Sequence, residues 1–103
     1  MSDSPSNEQK INIEVDEKTA DGTYSNLAII NHSISEFIVD FIALMPGAPK
    51  AKVKSRIILT PEHAKRLHKA LGDNLQRFEQ ANGKISVQEQ PPIPLNFGPT
   101  GEA

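Results

Sequence analysis

The sequence predicts an α+β protein: a four-stranded antiparallel sheet followed by one long amphipathic helix packed on one face, with a disordered tail at each end. Three observations carry this expectation. Four apolar runs of strand length precede residue 60, separated by short polar or Pro/Gly turns. A single helical stripe of Ala64, Leu67, Leu71, Leu75 and Phe78 follows. Residues 1–9 hold no aliphatic or aromatic side chain after Met1, and residues 84–103 carry four of the eight prolines. Neither end buries enough apolar surface to offset the entropy of ordering it. The expected organisation is a tail over 1–9, one β-β-β-β-α domain over 10–83 and a Pro-rich tail over 84–103.

The first strand is expected over Ile11–Glu17, where Ile11, Ile13 and Val15 alternate with Asn12, Glu14 and Asp16. A polar turn, Lys18–Gly22, leads to a second strand over Tyr24–Ile30, closed by Asn31-His32-Ser33. Glu36–Leu44 is the third strand and the most apolar; Pro46-Gly47-Ala48-Pro49 breaks it, and Ala51–Leu59 is the fourth. Short loops favour antiparallel neighbours. A hairpin centred on Ala48 then sets Phe37 against Leu59, Val39 against Ile57 and Ala43 against Val53. The same parity sets Leu27 against Val39, Ile29 against Phe37 and Ile13 against Leu27, all on one core face. The helix begins at Thr60, whose hydroxyl suits an N-cap, with Pro61 at the first helical position and Glu62 beside the positive end of the dipole. Gly83, after Asn82, supplies its C-terminal cap.

Composition narrows the function. The chain has 103 residues, enough for one domain. An ordered part of roughly 70 residues is marginal as a lone monomer. Cysteine is absent, which excludes disulfides, thiolate metal sites and a cysteine nucleophile. Oligomerisation or docking on a partner is the remaining route to stability. A net charge of −2 gives no global attraction to nucleic acid or anionic membrane. No apolar run approaches the roughly 18 residues of a membrane span, and the first residues lack a secretory layout, so the expected location is cytoplasmic.

No catalytic, cofactor-binding or metal-binding constellation emerges. His63 and His68 lie five residues apart, about 140° around a helix, and do not share a ligand face. His32 falls in a predicted turn. The carboxylates are scattered, the six glycines are isolated, and no serine sits in a nucleophile elbow. The expectation is a protein that is not an enzyme and needs no cofactor.

The surface opposite the helix carries the functional reading. If the alternation holds, Tyr24, Ala28, Ile30, Ile38, Ile42, Leu44 and Ile58 project there, with Asp40 opposite Arg56 and beside Asn26. One helix covers one face of a sheet, so this apolar face calls for a second subunit or a protein partner. Asp40 and Arg56 read either as a cross-strand ion pair or as a polar anchor within the binding surface. Lys50, Lys52, Lys54 and Arg56 form a basic row along the fourth strand. The row guards an edge against aggregation or touches nucleic-acid phosphate, though base-stacking aromatics are scarce. Pro91–Phe97 (PPIPLNF) favours polyproline II and reads as a linker or a short docking peptide.

Over Gly22–Gly83 the chain resembles a bacterial family known as domain of unknown function 3467. The resemblance rests on Tyr24-Ser25-Asn26, Glu36-Phe37 with Asp40-Phe41, Met45-Pro46-Gly47, and Arg56-Ile57-Ile58-Leu59-Thr60-Pro61 with Ala64-Lys65. Genes of that family can lie near those for RNA polymerase large subunits, so the resemblance implies a place beside the transcription machinery, with RNA polymerase as a partner. In layout alone the chain is similar to the export chaperone SecB, a four-stranded sheet followed by helices that works as an oligomer. The expected function is a non-enzymatic interaction module that forms a homo-oligomer or docks on a larger complex through the outer sheet face. The alternatives are an oligomeric holdase and a weak nucleic-acid binder.

Overall fold

Asp16 makes the first departure from the expected strands. Its side chain accepts a hydrogen bond of 2.7 Å from the Thr19 amide, capping a one-turn helix, α1 (Glu17–Ala20). The chain leaves α1 through Gly22, whose φ of +82° suits a residue without Cβ. Among the described residues Ile11–Val15 pairs with no strand, and Ile13 is 91% exposed. The computed structural model describes residues 10–88. The tail expected over 1–9 and the segment Pro91–Phe97 lie outside the described residues.

The sheet therefore has three strands rather than four: β1 (Leu27–His32), β2 (Phe37–Ala43) and β3 (Lys52–Leu59), antiparallel in the order β1-β2-β3. Alternation marks which side chains would share a face, but it does not supply an edge to pair with. With one strand fewer, the layout likeness to SecB loses its basis.

The β2–β3 hairpin begins in the expected register, with Phe37 opposite Leu59, Val39 opposite Ile57 and Asp40 opposite Arg56. Its loop turns at Pro46-Gly47, where the Ala48 amide donates to the Met45 carbonyl at 3.1 Å and Gly47 has φ +81°. This is the Pro-Gly arrangement of a type II turn. A β-bulge then breaks the pattern: Phe41 opposes Ser55, but Ile42 opposes Val53, leaving Lys54 as the extra residue. Val53 moves to the opposite face from the one expected.

The β1–β2 register differs by three residues. His32 opposes Phe37, Ile30 opposes Val39, Ile29 opposes Asp40 and Leu27 opposes Ile42. The cause is a tighter connection. The Ser33 amide donates to the Glu36 carbonyl at 2.9 Å, and the Ser33 hydroxyl accepts from the amides of Ser35 and Glu36. An odd shift exchanges the faces of a whole strand, so Leu27 and Ile29 join Asp40 and Ile30 joins Val39. Asn26 extends the pairing beyond β1. Its side chain donates to the Leu44 carbonyl at 3.1 Å and accepts from the Leu44 amide at 2.7 Å, so it bonds Leu44 rather than lying beside Asp40.

The helix α2 (Pro61–Asn82) has the expected ends. Thr60 Oγ1 accepts from the His63 amide at 3.2 Å, and Gly83, with φ +92°, donates its amide to the Glu79 carbonyl. Glu62 pairs with Arg66, and Lys69 with Asp73 at 3.8 Å, each one turn apart. The expected packing does not follow. α2 meets the sheet chiefly at β3, the edge strand. None of its residues is buried. The buried apolar core among the described residues is Val39 and Ile42, on opposite sides of the central strand.

Candidate interaction surface

Ladder pairing defines two sheet faces, because directly opposed residues project to the same side. One carries Ala28, Ile30 and His32 from β1, Phe37, Val39 and Phe41 from β2, and Ser55, Ile57 and Leu59 from β3. The His32 ring stacks on Phe37 with centroids 5.1 Å apart. The other carries Leu27, Ile29 and Asn31, then Ile38, Asp40 and Ile42, then Val53, Arg56 and Ile58.

Asp40 is the most deeply placed polar residue described, with 2% of its surface exposed. Arg56 Nε donates to Oδ1 at 2.7 Å and Nη2 to Oδ2 at 2.9 Å, a bidentate fork across neighbouring strands. These bonds hold the Asp40 carboxyl below the usual carboxylate range, against the opposing effect of burial. The Arg56 side chain is 48% exposed, so the pair runs from a sealed carboxylate out to solvent.

The residues expected on one outer face divide. Ile38, Asp40, Ile42, Arg56 and Ile58 share the second face; Ala28 and Ile30 lie on the first, through the shift of β1. Tyr24 precedes β1 and is exposed, and Leu44 follows β2, tied to Asn26. Ile42 is itself core, whereas Ile58 is more than half exposed. The basic row is not continuous either. Lys50 precedes β3, Lys52 opposes Ala43 on the first face, Lys54 sits in the bulge and Arg56 is committed to Asp40 on the second face.

A second exposed surface lies on α2, along the stripe that its spacing marks as core-facing. Leu67, Leu71, Leu75 and Phe78 on α2 are each 44–55% exposed. Leu71, Leu75 and Phe78, with Asn74, Arg77 and Ile85, line an open groove of about 520 Å³ along the second half of the helix. Ile85 is held there by its amide, which donates to Glu79 Oε2 at 2.9 Å. The stripe was legible as apolar; what it packs against is a non-local property that spacing does not encode. Among the described residues no three His, Cys, Asp or Glu side chains gather as metal ligands, and no helix is long and apolar enough to cross a membrane.

No curated protein and no solved structure matches the chain. A family model, described as Protein of unknown function (DUF3467), matches residues 1–87. That span takes in α1, all three strands and the whole of α2, and the chain is a member of this family.

Proposed function

We propose that the protein is a non-enzymatic interaction module that takes its place in a larger cytoplasmic assembly through apolar surface. The observation that supports this reading is the stripe on α2, where four large apolar side chains stay half exposed while two apolar residues are buried among those described. Contiguous exposed apolar surface of this kind marks an association site in a folded protein. The sheet face around Ile58 and the Asp40–Arg56 fork adds a second contact region. There the polar pair fixes orientation, and the apolar rows supply affinity. The family resemblance makes RNA polymerase the first partner to test.

The test uses the full chain, its Ile58→Lys and Leu75→Lys variants, and purified RNA polymerase. Light scattering reads self-association, and surface-immobilised protein reads binding to the polymerase or to partners from native lysate. The expected result is association weakened at least about tenfold by a charge placed in a desolvated contact, with circular dichroism unchanged. A monomer that captures nothing would overturn the reading. Suppressed aggregation of an unrelated denatured protein would replace it with a holdase.

A further inference from the structure

Building on that assembly reading, we propose that the occupant of the helix stripe is a second copy of this chain, seated α2 against α2, antiparallel, about a two-fold axis at Leu71. The stripe itself is the first ground. Ala64, Leu67, Leu71, Leu75 and Phe78 step by 3, 4, 4 and 3, a spacing that reads the same in both directions. An isologous contact needs this, because each residue must meet its counterpart across the dyad. With the axis at Leu71, Leu67 meets Leu75 of the other copy. Ala64 meets Phe78, so the largest side chain of the stripe faces the smallest.

Charge gives the direction. Glu62, Lys65, Arg66 and Lys69 make the first half of α2 net +2, whereas Asp73, Arg77 and Glu79 make the second half net −1. Antiparallel seating lays unlike halves together, and parallel seating would lay like halves together. The opposed helix dipoles favour the same direction.

Size and boundary agree. Each half-exposed side chain of the stripe, and Ile85 beside it, still shows on the order of 100 Å². Two copies bring together about 1,000 Å² of apolar surface, the size at which a specific interface begins. The family match, residues 1–87, contains α2 whole, so the stripe lies in the part of the chain that the family model describes. With two buried apolar residues among those described, the domain has the small core that oligomerisation commonly supports. A second copy is the partner present whenever the chain is made.

The absence of cysteine makes the test direct. Leu71→Cys in the full chain, mildly oxidised, is expected to give a covalent dimer, whereas Lys69→Cys, about 200° around the helix from Leu71, is not. Because Leu71 sits at the centre of the contact, a second experiment mixes Leu67→Cys with Leu75→Cys. Antiparallel seating yields the mixed disulfide in preference to either self-linked species. Light scattering on the unmodified chain is expected to show a dimer. A dimer in which neither experiment cross-links across the seam overturns the α2 dyad and leaves the assembly reading standing. So does a monomer that binds an unrelated protein through a Leu75-sensitive contact. A monomer whose stripe becomes accessible only when residues 89–103 are deleted overturns both.

Discussion

Removing Arg56 should cost this protein far more than removing Asp40. The two ends of the pair sit in different surroundings: the Asp40 carboxylate is 2% exposed and the arginine 48%. Arg56→Ala leaves a buried carboxylate without its two donors. Breaking a buried pair from this side costs about 3 kcal/mol, since the stranded charge keeps its desolvation penalty. Asp40→Leu instead strands an arginine already half in water, and should cost about 1 kcal/mol or less. The double variant Asp40→Leu/Arg56→Leu replaces the fork with apolar contact beside Ile29, Ile38, Ile42 and Ile58, and should return to within about 1 kcal/mol of the parent.

Urea unfolding followed by circular dichroism, at one fixed protein concentration, measures all four corners of this cycle. The pH dependence has a definite sign. The fork lowers the folded-state pKa of Asp40, so its contribution is fully present above the ordinary value of 3.8 and is lost as pH falls through the depressed one. In Arg56→Ala only burial acts on the carboxyl, which raises its pKa. The deficit of that variant should therefore be largest near neutrality and shrink as acid protonates Asp40. An Arg56→Ala cost below about 0.5 kcal/mol, or additive single effects in the cycle, would refute the reasoning.

Three smaller perturbations follow from local geometry. Thr60→Ala removes the acceptor of the His63 amide and should lower stability by about 1 kcal/mol, read as a drop in thermal midpoint. Asn26→Ala deletes both bonds to the Leu44 backbone. It should cost about 1–2 kcal/mol and speed hydrogen exchange at the Leu44 amide ahead of the amides of β2. Gly83→Ala meets no atom within 4 Å but must adopt a φ of +92°. A loss of about 1 kcal/mol or more, with fraying confined to the last turn of α2 by amide exchange, is the expected result.

Elements whose signals are local were legible in the sequence. Thr60-Pro61 and Asn82-Gly83 bracket α2 because capping chemistry lies within a few residues of each end. Pro46-Gly47 marks its turn for the same reason. The Asp40–Arg56 pair agrees with a hairpin centred on Ala48, but the turn itself lies at Pro46-Gly47 and the Lys54 bulge between turn and pair shifts the register by one residue. The faces of β1 were not legible, because Ser33 closes its turn more tightly than composition reveals, and an odd shift exchanges every side chain of the strand. Ile11–Val15 carries the alternation of a strand without a pairing edge, and Asp16 diverts the chain into α1. The bulge at Lys54 similarly divides a basic row that strict alternation had aligned. For the candidate site, the sequence identified apolar residues correctly but not which of them stay uncovered, since that depends on where α2 travels after β3.

The two rims of the sheet are guarded unequally. Along β3 the Lys54 bulge and the charge of Lys52 spoil the outer row of amides and carbonyls. Along β1, Leu27–His32 offers a run with no proline and no formally charged residue. An incoming strand finds one welcoming border and one hostile one. Growth by strand addition would stop after a single step, and two sheets meeting border to border would close as a pair. The same asymmetry that admits one visitor denies the molecule the repeating contact from which fibres are made.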